Sequence, residues 1–424
     1  MAGILASTQE MTLLETTSRA FRLIVVLAIA AGAHTASAEP KTIKIGVIQP
    51  MSGSLSAYAQ EGEPVFEYMI KKINDHGGIK SMGGARIELI VGDDASQPSR
   101  TAAEARRLAS QHGVAMIMGS ILSAQMLALC PVLDEMKVPA LSLWGAGSRS
   151  RWLYSIGFPY DRGYAATMAE FVDWLNREQG FKLRNAAMVY SNYEGGQQIN
   201  RFLRERLKAK GFNVVGEVPL DVKAQDHAAA VMRLRALKPD FTIGLVLARD
   251  GQLLLKARHD LNYHEAIFVG GTSGFADTSL WRELGPEVGG SVLPRNLFAM
   301  TPFSPDARLP AVTAIMKELE GARLLKTEIG QNAIQAAQAA RVIQRVLELA
   351  GSTDPEKILA AFRQVNIPAG DPDLYQVKAE GLSFGDDRLP KDGRTMIVQW
   401  RPDHRQDVVY PPQFATSAPR PFQR

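Results

Sequence analysis

The residues best suited to chemistry in this chain are hydroxyls, aromatic rings and glycines that recur in short turn-like segments. Pro50-Met51-Ser52-Gly53 with Tyr58 forms the first group, residues 119–123 ending in Ser123 and followed by Ala124 the second, and Ser142-Leu143-Trp144-Gly145-Ala146-Gly147 the third. Tyr193 and Gly270-Gly271-Thr272-Ser273-Gly274 follow in the second half. Glycine and serine in a turn let a ligand approach the backbone closely. A serine at a helix start, beside N–H groups that have no partner in the helix, suits a carboxylate. Tyrosine and tryptophan add flat apolar walls that each carry one polar atom. This is the chemistry of holding a small molecule.

Bond-making chemistry has little support. There is no Gly-x-Ser-x-Gly elbow, no phosphate-cradling Walker loop, no Gly-x-Gly-x-x-Gly after the first strand and no His/Glu metal motif. No enzymatic activity and no cofactor are expected. Asp93-Asp94 reads as a cap and a solvated turn, and His259 and His264 stand five apart, off the i, i+4 face of a helical metal site, so no metal is expected. The single cysteine, Cys130, reads as a packed thiol and excludes an internal disulfide.

The binding segments need elements that bring them to one edge. Short β-branched runs at 43–47, 87–91, 115–118 and 140–143 alternate with helical patterns at 61–74 and 100–111. A second series places strands at 186–190, 214–218, 241–246 and 267–269, with helices near 195–210, 226–237 and 251–261. Strands with so few polar positions suit parallel sheets buried on both faces. Two such βα series imply an α/β fold of two doubly wound parallel-sheet lobes, with ligands outside the carboxyl ends of the strands. The segments singled out above fall at such ends. Residues 291–300 are expected to cross between lobes, and helices at 307–320, 330–350 and 355–365 to return to the first. The expected division is 39–160 plus 296–375 for the first lobe, 161–295 plus 376–410 for the second, and a loose tail at 411–424, with hinge crossings near 158–163, 291–300 and 370–385.

Length and composition agree. The 424 residues suit two or three domains, and 46% hydrophobic with 22% charged residues is ordinary for a globular chain. A net charge of +4, without a run of five like charges, leaves no nucleic-acid or membrane-surface footprint. At the N-terminus, Arg19 and Arg22 precede an apolar run at 23–33 and then Ala36-Ser37-Ala38, the pattern of a cleaved secretory signal over 1–38. The first ten residues are unusual for a signal, so either Met1 or Met11 is the start. The run is too short to span a bilayer, and no cysteine follows it for a lipid anchor, so a periplasmic location is expected.

Several pieces then appear in a specific order: Ile43-Lys44-Ile45-Gly46-Val47, Pro50-Met51-Ser52-Gly53, Gly77-Gly78-Ile79, Asp93-Asp94-Ala95, residues 114–119 with Ser123, and Val138-Pro139-Ala140-Leu141-Ser142. Over most of residues 41–400 this series resembles the Leu/Ile/Val-binding type of periplasmic solute receptor that serves ABC importers, a type I periplasmic binding protein. The resemblance implies two lobes joined by a three-stranded hinge, closure around a small solute, no enzymatic activity, and a membrane permease as partner, with the receptor a monomer. It places ligand contacts at Ser52, Tyr58, Ser123, Ala124, Trp144, Gly145, Ala146, Tyr193, Thr272 and Ser273.

The departures from that family bear on the ligand. Amino-acid receptors of this type usually offer two adjacent hydroxyls after the third strand, a threonine after the fourth, and an acid in the second lobe that faces the ligand's ammonium. The matched positions here are Ser123-Ala124, Trp144-Gly145-Ala146 and Gly271-Thr272-Ser273, with Thr272 where the acid belongs. A buried ammonium without a counter-charge costs several kcal/mol. An aromatic or otherwise apolar carboxylate is therefore favoured as ligand. The alternatives are a branched or hydrophobic amino acid, with Glu194 or Asp277 as the acid, and a sensor that reports to a membrane signalling partner. The exported protein should begin near Glu39 when its mature N-terminus is read by mass spectrometry; an intact Met1 or Met11 would contradict the signal.

Overall fold

The computed structural model describes residues 42–144, 149–271, 273–326 and 328–421; the expected signal lies outside them. Strand β1 (Thr42–Gln49) alternates at its start and is then buried throughout, as befits a strand covered on both faces. It pairs in parallel with β2 (Arg86–Asp93) and β3 (Met116–Met118), and β4 (Ala140–Ser142) and β5 (Leu153–Ser155) complete a five-stranded parallel sheet in the order β2-β1-β3-β4-β5. The helices α1 (Ser56–Asp75), α2 (Pro98–His112) and α3 (Ser123–Met136) make the connections. The apolar face of α1 carries Val65, Phe66, Met69, Ile70 and Ile73, and its first turn lies upstream of the expected start, which brings Tyr58 into the helix. β5 was not anticipated.

The second lobe repeats the plan. After α4 (Ala166–Glu178) come β6 (Asn185–Ser191), α5 (Glu194–Ala209), β7 (Asn213–Leu220), α6 (Ala228–Leu237), β8 (Phe241–Leu245), α7 (Ala248–Asp260), β9 (Ile267–Gly271), the short helix α8 (Ser273–Ala276), α9 (Leu280–Val292) and β10 (Leu297–Thr301). The parallel part of this sheet runs β7-β6-β8-β9-β10, the same order as in the first lobe, and β13 (Met396–Trp400) and β14 (Gln406–Tyr410) extend it antiparallel.

Two expectations need correction here. Residues from 296 onward were assigned to the first lobe, yet β10 pairs with β9 and β13, so it is a strand of the second sheet. The return to the first lobe comes later, before α10 (Pro310–Ala322), which is tied to α1 by the 2.6 Å ion pair of Lys72 with Glu318. The segment 411–421, expected to be loose, lies along β13 and β14: Thr416 N–H donates to the Val408 carbonyl at 2.7 Å, and Arg420 pairs with Asp407 at 2.9 Å. α11 (Gln331–Ala350) and α12 (Pro355–Gln364) pack in the first lobe, and β11 (Asn366–Ile367) pairs with β12 (Leu382–Ser383). Among the described residues, no helix is long and apolar enough to cross a membrane.

The crossing segments hold one another. Val377 N–H donates to the Pro302 carbonyl at 3.1 Å, and Gln376 Nε2 donates to the Ile156 carbonyl at 3.3 Å. Lys378 is buried there, 2.9 Å from the Asp392 carbonyl and 4.7 Å from the centre of the Phe158 ring, and burial lowers its ammonium to about 8.

One buried carboxyl in α1 conflicts with the core. Glu63 is 4% exposed, neither of its oxygens has a hydrogen-bond partner, and burial followed by the charge of Glu67 raises it from 4.5 to about 7. The folded chain keeps this proton longer than the unfolded chain does. Its contribution to stability is therefore complete below about pH 4.5 and is lost as the pH rises through 7. Glu63→Gln should raise stability at pH 8 by about 2 to 3 kcal/mol and change it little at pH 4.5, as read from denaturant unfolding at the two pH values.

Candidate functional site

Parallel strands with returning helices send every strand-to-helix loop to the carboxyl edge of its sheet. In this chain the two carboxyl edges face each other across a cavity of about 40 Å³. From the first lobe come Tyr58 after β1, Ile121, Leu122 and Ser123 after β3, and Trp144 after β4; from the second come Tyr193 after β6, Leu245 at the end of β8, Leu247 after it, and Ser273 after β9. The crossing segment adds Tyr160 and Tyr164, α5 adds Ile199, and the first residue of α11 adds Gln331. Among the described residues, no side chain lining this cavity is charged.

Helix starts face this space. Ser123 opens α3, Tyr193 precedes α5 and Leu247 precedes α7, so three first turns with unpaired N–H groups surround the space, two from one lobe and one from the other. At α3 the Gln125 side chain accepts only from Leu122 N–H, at 3.0 Å, leaving the next N–H groups without a side-chain cap. α11 differs, because the Glu61 carboxylate caps it: Oε1 accepts from Ala333 N–H at 3.1 Å and Oε2 from Asn332 Nδ2 at 2.6 Å. Burial, and next the charge of Asp277, raise Glu61 to about 8. Asn332 in turn accepts from Trp144 Nε1 at 3.1 Å, which fixes the indole as a wall.

Several contacts join the lobes. Tyr58 Oη and Ser273 Oγ are 3.2 Å apart, Thr278 Oγ1 donates to the Ile329 carbonyl at 3.4 Å, and Arg282 pairs with Glu328. Ser123 Oγ is hydrogen-bonded to Tyr160 Oη. Opposite it, α5 presents Gly195 where any larger residue would intrude: a β-carbon there would lie 2.8 Å from Ser123 Oγ and 3.1 Å from Tyr160 Oη. Burial raises the phenols of Tyr58, Tyr164 and Tyr193, so all three hydroxyls keep their protons and can donate. A second cavity of about 110 Å³ shares Ser123 and Tyr160 with the first and is edged by Arg149, Glu194 and Gln198.

Of the residues expected at the site, Tyr58, Ser123, Trp144, Tyr193 and Ser273 line the cavity together. Ser52 does not: it is exposed, and its hydroxyl donates to Asp93 Oδ2 at 2.7 Å, closing the turn after β1. Ala124 is also exposed, because the residue after a helix's first position points around the cylinder. Gly145, Ala146 and Thr272 lie outside the described residues. Asp277 does not line the cavity, and its carboxylate accepts from Ser279 N–H and Oγ. Sequence reasoning missed Tyr160, Tyr164 and Gln331. The two tyrosines lie on either side of Gly163 at the first crossing, a signal that could have been used; Gln331 is 273 residues from Tyr58 and nothing local marks it.

Comparisons with known proteins agree with this architecture. A family model described as periplasmic binding protein matches residues 42–403. A Brucella melitensis protein named Leu/Ile/Val-binding protein homolog 7 is 26% identical over 404 residues, covering 92% of this chain and 96% of its own. Among solved structures, the branched-chain amino acid transporter substrate binding protein of Streptococcus pneumoniae, in complex with isoleucine, superposes with a TM-score of 0.71 at 18% identity, over 88% of this chain and 100% of its own. An ABC transporter solute binding protein of R. palustris, in complex with 4-hydroxybenzoate, gives 0.70 at 20% identity, over 88% and 95%.

The contact at Gly195 tests whether this is where the lobes meet on a ligand. Its φ is not in the left-handed region, so the backbone admits alanine, while the added methyl meets Ser123 Oγ and Tyr160 Oη and also the ring of Tyr193 beside it. Gly195→Ala should leave the melting temperature within a few degrees of the parent and weaken ligand binding about tenfold or more, as measured by calorimetry.

Proposed function

The chain belongs to the periplasmic binding protein family, which serves ABC transporters, and on that premise we propose that it captures a small aromatic or apolar carboxylate and delivers it to the membrane permease of an importer. The observation that carries this reading is the lining itself: three helix starts, four tyrosines and a tryptophan around a cavity whose described residues include no acid. Helix N-termini favour an anion, and the absence of a lining carboxylate leaves an ammonium without a counter-charge. Relatives on this fold bind both isoleucine and 4-hydroxybenzoate, so the choice rests on the lining and not on the fold.

Energetics are compatible. Micromolar affinity corresponds to roughly 8 kcal/mol; ring contacts add about 0.5 to 1.5 kcal/mol per aromatic pair, and burial of the ligand's apolar surface supplies most of the remainder. Size sets a condition. A cavity of about 150 Å³ accepts a benzene ring, whereas the central one here is about 40 Å³. An aromatic acid would use the adjoining space beside Ser123 and Tyr160 as well, or enter as the lobes part about the crossing segments and then close. Release to a permease is the same motion reversed.

A second reading has one observation in its favour. Glu194 edges the adjoining cavity and could face the ammonium of a hydrophobic amino acid whose carboxylate lies at Ser123. Calorimetry on mature protein freed of carried-over ligand separates the two: benzoate-type or phenylpropanoid acids should bind at micromolar levels, with leucine and valine at least a hundredfold weaker. The reverse order would replace the aromatic acid by an amino acid.

A further inference from the structure

Among the described residues, Gln331 is the one lining side chain of the central cavity that carries a buried acceptor with no partner. It is 3% exposed, and its Oε1 has no hydrogen-bond donor within reach. The other amide side chains around it are committed: Asn332 is held between Trp144 and Glu61, and Gln335 Nε2 donates to the Leu143 carbonyl at 2.9 Å. A buried carbonyl oxygen left without a donor is destabilising, so a partner from the ligand would recover that cost. The helix that carries Gln331 is rigidly placed, because Glu61 caps its first turn from α1. The oxygen is therefore held in place before a ligand arrives.

We infer that Gln331 Oε1 accepts a hydrogen bond from an O–H or N–H group on the ligand, remote from its carboxylate, so that the receptor selects hydroxylated aromatic acids over their unsubstituted parents. This deepens the aromatic-acid reading and rests on it for the ligand class, though the acceptor role of Gln331 does not depend on that class. The carboxylate belongs to the donor-rich end, at the starts of α3 and α5. Gln331 stands beside a different cluster, in which Asn332 joins Trp144 to Glu61. An acceptor at that position discriminates by penalty as well as by attraction. An analogue without the donor would seal the oxygen away from water unpaired, and sites that hydrogen-bond a substrate hydroxyl reject the analogue lacking it far more strongly than apolar pockets reject an extra methylene.

The test uses the mature full chain, freed of carried-over ligand, with two matched sets of probes: benzoate against 3- and 4-hydroxybenzoate, and phenylalanine against tyrosine. Affinities are read by calorimetry for the parent, Gln331→Met, which keeps the shape and removes the acceptor, and Gln331→Glu, which keeps an acceptor. The parent should bind the better hydroxybenzoate at least tenfold more tightly than benzoate. Gln331→Met should lose that preference, weakening the hydroxylated acid tenfold or more and benzoate less than threefold, and Gln331→Glu should retain it. Equal affinity within both pairs for the parent, or equal loss on both members in a Gln331→Met protein of unchanged melting temperature, would overturn the assignment. A hydroxyl preference seen only in the tyrosine pair, and lost in Gln331→Met, would support the role of Gln331 while overturning the aromatic-acid reading. Binding of none of the probes would overturn both.

Discussion

The constraint on which the molecule depends is the direction of its strands. A parallel sheet connected by helices must place the carboxyl end of each strand, and the start of each following helix, at one edge. Both lobes obey it with the same strand order, β2-β1-β3-β4-β5 and β7-β6-β8-β9-β10. Setting two such edges face to face gathers helix starts from both sides around one small space. Helix starts carry partial positive charge, so a space gathered in this way can favour an anion without a basic side chain in the lining. Gly119 shows how tightly the edge is built: its φ is +127°, and a β-carbon would lie 2.1 Å from the Ile48 carbonyl oxygen, so only glycine lets the chain turn from β3 toward Ser123.

Closure is held by contacts of modest individual strength. The Arg282–Glu328 pair is about half exposed, and such pairs contribute roughly 0 to 1 kcal/mol. The hydroxyl contact of Tyr58 with Ser273 adds a similar amount. A receptor that must release its cargo needs lobes joined in this way, with the larger share of the closing energy supplied by the ligand's own burial. The crossing segments are built differently: Lys378 is buried against Phe158 and the Asp392 carbonyl, and Gln376 reaches the Ile156 carbonyl. Such contacts tie the crossing segments to one another.

The sequence was most legible where periodicity and burial coincide. β1, β6 and β8 were placed to within about three residues at each end, and the two βα series led directly to two lobes. It was less legible where elements are short or where partners are distant. β5, three residues long, was missed, and β10 was read as part of a crossing segment and assigned to the first lobe, although it pairs with β9 as well as with β13 about a hundred residues on. At the site, residues just after a strand could be found from their position, as with Tyr58, Ser123, Trp144, Tyr193 and Ser273. Ser52 met the same rule and failed, because Asp93 on the neighbouring strand takes its hydroxyl. Gln331 and Glu61 could not be found in this way, since their roles arise from α11 returning to α1 after most of the second lobe has been built.

The account's central claim is that this uncharged, aromatic-lined cavity holds an anion by means of helix starts. The most direct measurement compares an acid with its neutral amide of the same shape, such as 4-hydroxybenzoate with 4-hydroxybenzamide, by calorimetry at pH 7. The account predicts that the acid binds at least tenfold more tightly, with the advantage largely kept at high salt because the site is enclosed. Equal binding of acid and amide, or preference for the amide, would contradict it.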